Sequence, residues 1–262
     1  MIIPPLQGKL SCQNFFIYTA CDEKYFDDFA KILINSIQAN STDSIHLHLF
    51  NPRQDQIEFC QSKNVSLTYE YAPIEMFETA AAKWNVEPTD PVLKNNYDRI
   101  QNSMMKGGDR SIIERIQKTY FACARFIRLS ELLTDTQTAF SIDVDAVVRT
   151  NIPKLSTDKD FYLHQITGKK ARFLAGGLYV NPKGHAFVKE YANVLLQNIS
   201  NDNLHWGLDQ DVLDPIVPKY KFGGLPITYI DWHMMPTSYI WTAKGTRKEL
   251  ASFISEQAKY KP

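Results

Sequence analysis

Several things are scarce in this sequence. It has four cysteines, Cys12, Cys21, Cys60 and Cys123, and no two of them form a Cys-x-x-Cys pair. That spacing argues against a disulfide frame and against a thiolate zinc site, so free thiols in a reducing compartment are expected. No apolar run is long enough to cross a bilayer. The opening MIIPPLQGKLSCQN lacks the charged start and long apolar stretch of a secretion signal, so the expected location is cytoplasmic. Without a secretion route the three Asn-x-Ser/Thr matches, at Asn40, Asn64 and Asn198, read as chance. An excess of charge of either sign is also lacking: 29 Lys and Arg balance 29 Asp and Glu. A zero net charge argues against a nucleic-acid binder held by phosphate contacts. No internal repeat or low-complexity tract is visible.

What is present is an ordinary globular composition, 44% hydrophobic over 262 residues, enough for a sizeable core without staples. Residues 15–20 (FFIYTA) read as a strand, and Asp22 as the N-cap of a helix with Phe26, Phe29, Ala30, Leu33 and Ile37 on one face. A second strand is expected at Ile45–Phe50, a helix at Gln54–Lys63 and a third strand at Val65–Tyr71. Alternating strands and helices predict an α/β domain whose parallel sheet is covered by helices. Residues 73–110, with Trp84, Pro88, Pro91, two adjacent asparagines and Lys106-Gly107-Gly108, break the rhythm. They read as an insertion, either a binding lid or a variable loop. The glycine pair is no P-loop, because the GxxxxGK[ST] spacing is missing.

Ile112–Leu133 reads as a long helix with Ile116, Tyr120, Ala124, Ile127 and Leu132 on one face. Ala139–Val148 (AFSIDVDAVV) is the strongest candidate for a buried strand. Further strands are expected at Phe161–Ile166, Phe173–Asn181 and Pro226–Ile230. Helices are expected at Gly184–Asn198, around Asp209–Ile216, and at Thr246–Ala258. One domain over 1–262 is expected, with a first half, 15–148, and a second, 149–262.

The Ala139–Val148 stretch carries Asp143 and Asp145 among apolar neighbours. In a strand, residues i and i+2 face the same way, so both carboxylates would project together. Two buried like charges repel, and a divalent cation relieves the cost. Carboxylate oxygens suit Mg²⁺ or Mn²⁺ rather than zinc or copper. The competing reading is a strand end whose aspartates cap a turn.

At these residues the chain resembles the GT-A glycosyltransferases, a Rossmann-like fold with a mixed, mostly parallel sheet, and among them the family-eight type that includes glycogenin and lipopolysaccharide galactosyltransferases. Four pieces in the family's order, across roughly 15–250, carry the resemblance. The stretch from Tyr18 to Tyr25 is similar to the opening strand and turn; the resemblance implies that Thr19, Ala20 and Cys21 line a uridine pocket and that Tyr25 stacks on the base. The stretch from Tyr120 to Phe126 resembles the family's Ala-Arg-Phe helix, which places Arg125 near the donor, and Asp143-Val144-Asp145 matches the DxD motif that binds the metal. The stretch from Phe173 to Pro182 is similar to a strand in which Ala175, Gly176 and Gly177 let backbone approach a sugar. The segment from Gly207 to Leu213 matches a later motif in which Asp209 accepts from donor-sugar hydroxyls and Gln210 lies near the reacting carbon. Leu174 stands where the family has Asn. The segment from Trp241 to Lys248 resembles the family's HxxGxxKPW element. Gly245 and Lys248 match, with Lys248 on the diphosphate, but Thr242 replaces the metal-binding His and the Pro-Trp is absent. Water or His233 would then complete the metal shell.

The resemblance implies a hexosyltransferase that uses a nucleotide sugar (UDP-linked), Mn²⁺ or Mg²⁺, and a glycan, lipid-linked or protein acceptor, with retention of anomeric configuration. An inverting enzyme would need a general base, for which Asp209 or Asp211 is available. Trp206, Trp232, Trp241 and Tyr239 offer an acceptor platform or core packing. His46, His48, His164, His185 and His205 lack metal spacing. Two other readings remain: a binding module without turnover, for which Thr242 and Leu174 speak, and a nucleotidyltransferase, against which the acidic, glycine-free Cys21-Asp22-Glu23 turn speaks.

Overall fold

The computed structural model describes residues 1–12, 14–83, 89, 91, 94, 95, 97, 98, 102, 111–166, 172–243 and 245–262. Trp84, Pro88, Asn96, Lys106, Gly107, Gly108 and Lys244 lie outside the described residues.

Among the described residues the strands are β1 (Gln7–Lys9), β2 (Phe15–Asp22), β3 (Ser44–Phe50), β4 (Ser66–Glu70), β5 (Thr138–Ile142), β6 (Val147–Val148), β7 (Phe161–Ile166), β8 (Arg172–Val180), β9 (Phe222–Gly224) and β10 (Ile240–Trp241). The helices are α1 (23–40, with a π segment at Phe26–Ala30), α2 (Gln54–Ser62), α3 (Ile74–Lys83), α4 (Ile112–Leu132), α5 (His185–Ser200), α6 (Leu208–Asp211), α7 (Leu213–Ile216) and α8 (Ala251–Ala258). An eight-stranded sheet runs β1-β4-β3-β2-β5-β8-β7-β9. β4, β3, β2 and β5 are mutually parallel, β8 is antiparallel to both neighbours, and β9 is parallel to β7. The expected mixed, mostly parallel α/β sheet is therefore what forms.

The covering helices follow from the alternation of β2. Phe16 and Tyr18 join a core with Phe77 of α3, Phe126 of α4 and Tyr191 of α5. Ile17 and Cys21 face the other way, onto Phe26 and Leu33 of α1 and Cys60 of α2. Opposite burial of successive side chains is the pleat's own geometry. Side chains close the helix ends: Asp22 accepts from the Tyr25 amide at 2.8 Å, and Ser111 accepts from the Glu114 amide at 3.2 Å. On β8, a Cβ at Gly177 would collide with the Ile230 side chain, so the bare backbone is a packing requirement.

Four sequence expectations fail locally, one of them the helix over Thr246–Ala258, which is a 3-10 turn at Gly245–Glu249 and then, after extended Leu250, α8. The stretch 139–148 is not one strand: β5 stops at Ile142, residues 143–146 form a turn, and β6 pairs with β10 in a separate two-stranded ribbon. Pro226–Ile230 is a 3-10 turn at Ile227–Tyr229 rather than a strand. The Tyr229 amide bonds back to the Pro226 carbonyl at 2.9 Å, and the edge strand is β9 instead. The helix expected at 209–216 is two short ones, α6 and α7, that meet at Val212.

Candidate active site

Parallel strands end together, and in open α/β sheets their carboxyl ends are where ligands bind. Here the carboxyl ends of β2, β3 and β5 border a cavity of about 500 Å³. Ala20, Cys21, Asp22 and Tyr25, from β2 and the start of α1, form one wall with Phe50 of β3. Lys118, Phe121, Ala122 and Arg125 of α4 also line it, with the Phe121 ring stacked on that of Phe50 at 4.5 Å. The Asp143-Val144-Asp145 turn and Gly176 lie at its base, and Trp206, Gly207, Asp209 and Gln210 border it on the α6 side. Ala243, Gly245 and Lys248 close it from the C-terminal segment.

The turn after β5 is what turns both carboxylates inward. The Ala146 amide donates to the Asp143 carbonyl at 3.2 Å, which closes a four-residue bend. Arg125 Nη1 lies 2.6 Å from Asp143 Oδ1. Its Nη2 donates to the Ala175 carbonyl at 3.3 Å and lies 3.4 Å from Asp209 Oδ2. One guanidinium thus links the turn after β5, the β8 backbone and α6. Burial opposes its charge, but the Asp143 and Asp209 carboxylates more than offset this and hold Arg125 firmly protonated. Lys248 Nζ lies 2.6 Å from Asp145 Oδ2 and stands over the rings of Tyr25 and Phe29, 5.1 and 4.7 Å from their centroids. Burial disfavours the lysine charge too, but Asp145 outweighs it and raises the pKa.

Asp145 is the strained member. Burial, then the neighbouring Asp143 charge, push its pKa up, against Lys248 and the Thr242 hydroxyl, which donates to Asp145 at 3.4 Å. A buried carboxylate beside a second carboxylate suits an added cation. Two hard oxygen donors on one cavity wall fit Mg²⁺ or Mn²⁺, which often takes one or two carboxylates plus phosphate and water. Among the described residues no group of three or more His, Cys, Asp or Glu side chains is placed for a metal ion. His233 is exposed, off the cavity wall, in a turn whose amide donates to Asp231 at 2.6 Å.

Asp209 sits in the first turn of α6, which is entered through Gly207 at φ 87°, a left-handed conformation that glycine adopts without strain. The Tyr191 hydroxyl donates to the Asp209 carbonyl at 2.5 Å and fixes the turn from α5.

Of the residues named from sequence, Ala20, Cys21, Tyr25, Arg125, Asp143, Val144, Asp145, Gly176, Asp209, Gln210, Gly245 and Lys248 meet on this one cavity. Thr19, Ala175 and Gly177 do not line it. Thr19 is buried toward the α1 side, Ala175 contributes its carbonyl to Arg125, and Gly177 packs on Ile230. Phe50, Lys118, Thr119, Phe121, Ala122, Gly207 and Ala243 line the cavity without having been singled out. The α4 residues had a readable signal: 118, 121, 122 and 125 share one helical face.

No family model and no curated protein sequence matches this chain. Solved structures do. The galactosyltransferase LgtC, in complex with donor and acceptor sugar analogues, is similar over 93% of this chain and 95% of its own, with a TM-score of 0.52 and 12% identity. An active-site glutamine-to-glutamate mutant of LgtC gives a TM-score of 0.53 at 11% identity over the same shares. The apo form of the glycosyltransferase GlyE of Streptococcus pneumoniae TIGR4 gives 0.52 at 12% identity, over 97% of this chain and 63% of its own. At such identities the likeness is one of fold, the GT-A fold.

Proposed function

We propose that this chain is a glycosyltransferase that moves a hexose from a UDP-sugar to an acceptor hydroxyl, with Mn²⁺ or Mg²⁺ as its cation and with retention of anomeric configuration. The observation that carries the reading is the meeting of Asp143, Asp145, Arg125, Asp209, Gln210 and Lys248 on one cavity at the carboxyl edge of the sheet. Its GT-A scaffold is shared with LgtC, a galactosyltransferase.

In this reading the nucleoside lies against Ala20, Cys21 and Tyr25, whose ring offers a face for the base. Lys248, now on Asp145, is within reach of a diphosphate and adds positive charge where the leaving group gathers negative charge. Asp143 and Asp145 would hold the cation, which supplies Lewis-acid stabilisation of the diphosphate when bound. Asp209 accepts from donor-sugar hydroxyls, and Gln210 positions the donor near the reacting carbon. Arg125 keeps the donor-sugar and carboxylate ends in register by binding both Asp143 and Asp209. Because Asp209 is held by Arg125, its carboxylate is a poor covalent nucleophile, which supports front-face attack with the leaving phosphate taking the acceptor proton.

The test is a thermal-shift screen of nucleoside diphosphates with Mn²⁺, followed by donor hydrolysis. UDP with Mn²⁺ at about 100 times its Kd should add about 2.7 kcal/mol, and chelator should abolish the gain. A screen in which no nucleotide raises the melting temperature would overturn the proposal.

A further inference from the structure

Of the two basic groups on the carboxylate turn, one is held far more firmly than the other. Arg125 is gripped by Asp143 at 2.6 Å, by the Ala175 carbonyl at 3.3 Å and by Asp209 at 3.4 Å, and 13% of its side chain is exposed. Lys248 has a single carboxylate partner among the described residues, Asp145 Oδ2 at 2.6 Å, and 27% of its side chain is exposed. It rides on the 3-10 turn at Gly245–Glu249, in which no residue is buried. Gly245 opens that turn at φ 59°, and a Cβ there would meet nothing within 4 Å. A left-handed glycine in open space lets the turn shift without a clash. The ammonium also stands over Tyr25 and Phe29, so it has aromatic faces to rest on when it leaves the carboxylate.

This ion pair takes up part of the seat that Asp143 and Asp145 offer a cation. Lys248 holds Asp145 Oδ2, and Oδ1 of the same carboxylate accepts from the Thr242 hydroxyl at 3.4 Å. Asp145 is largely buried, so solvent and salt do little to screen the ammonium from a second cation on that carboxylate. Asp143, Asp145 and Asp209 bring three negative charges to the turn, and Arg125 and Lys248 bring two positive ones. One negative charge is therefore uncovered. A divalent cation overshoots it while Lys248 stays in place. A diphosphate absorbs the excess and offers the ammonium several anionic oxygens in exchange for one carboxylate.

We propose that Lys248 is a place-holder: it occupies the cation's position on Asp145 in the ligand-free protein and surrenders that carboxylate when a diphosphate draws its ammonium away. Lys248 thus opposes the cation until the nucleotide arrives, and the two ligands bind cooperatively. This rests on the transferase reading above.

Electron spin resonance of free Mn²⁺ and calorimetry with UDP, both on the full chain, test it. In the unaltered chain each ligand should tighten the other by one and the same factor, about 100-fold. Lys248→Met removes the ammonium and keeps most of the stem. It should weaken UDP, yet tighten Mn²⁺ about ten-fold in the absence of nucleotide and lower the mutual factor about ten-fold. Lys248→Arg keeps a positive charge beside Asp145 and should leave Mn²⁺ as weak as in the unaltered chain. Asp145→Asn should remove the Mn²⁺ signal in every background, which ties that signal to this carboxylate. Melting temperatures of all variants check folding. Mn²⁺ binding to Lys248→Met no tighter than to the unaltered chain, an undiminished mutual factor in that variant, equal tightening by Lys248→Arg, or a Mn²⁺ signal indifferent to Asp145→Asn would each overturn the place-holder. An unaltered chain that binds no UDP, with or without Mn²⁺, would instead sink the transferase reading.

Discussion

Two clusters of buried charge draw on α4, through Arg125 and through Arg128, and they differ in what their charges face. Beside the β3–β4 edge, Glu70 is fully buried and accepts from the Tyr120 hydroxyl and from Arg128 Nε, each at 2.6 Å. Arg128 also binds Glu131 at 2.7 Å and donates to the Pro4 carbonyl. His48 Nε2 comes within 3.5 Å of Glu70, and His46 is held by Ser66 and Thr68 at 2.8 and 2.9 Å. Burial pushes the Glu70 pKa upward, yet its His48, Arg128 and Tyr120 partners outweigh that and lower it. In the cavity, by contrast, burial wins at Asp145 and raises its pKa. The first cluster is closed on protein partners and ties β4 and the N-terminal segment to α4. The second is left under-compensated beside open space, where an incoming ligand can complete it.

The sharpest break of that contrast is Glu70→Ala. It strands Arg128 without its buried partner and should cost about 3–5 kcal/mol in urea unfolding; a loss below about 1 kcal/mol would make the clusters equivalent. Asp145→Asn should behave in the opposite way. Turnover of donor should fall about 10²–10³-fold. Stability should change by less than about 1 kcal/mol, because Lys248 keeps 27% of its side chain exposed.

Acid should separate the clusters next. Burial holds His46 neutral down to about 3, against an ordinary value of 6.5, and lowers His48 in the same direction. The unfolded chain therefore takes up protons near 6.5 that the folded chain refuses, so stability is full above that pH and declines as pH falls from 6.5 toward 3. The slope from His46 should reach about 1.4 kcal/mol per pH unit. Glu70, lowered in the fold, adds to the loss below its ordinary 4.5. Urea melts between pH 7 and 5 should show the decline, and His46→Gln should flatten it. The smallest effect belongs to an exposed cluster, Arg53 with Glu23, Asp27 and Asp55 at 2.6–2.9 Å. Arg53→Ala should leave the melting temperature unmoved, since water screens all four groups.

Much of the architecture of the first half was legible, because β2, β3, β4, α1 and α4 each carry one consistent period. The cavity was legible where motif residues follow a strand end, as with Asp143 and Asp145, or open a helix, as with Asp209. Ala139–Val148 misled because hydrophobicity continues through the turn: Val144 and Ala146 are buried without being in a strand. Lys118 and Phe121 escaped notice because a helix opposite a sheet has two buried-looking faces, and periodicity does not say which one borders empty space. The role of His46 and His48 depends on Thr68 and Glu70 across the sheet, and strand pairing is not written in local sequence.

The ribbon of β6 and β10 has one more consequence. Val148 is clamped to α1 by Ser36, which accepts from its amide at 3.1 Å, and by Asn40, which donates to its carbonyl at 3.0 Å. Val147, Trp241, Ala243 and Phe253 of α8 pack with Ile32 as a separate small core. The carboxylate turn and the segment bearing Lys248 leave the same end of this ribbon, at the Val147–Trp241 pair. Acid and ammonium therefore ride on a common chassis, and twisting of the eight-stranded sheet would carry both together rather than prise them apart.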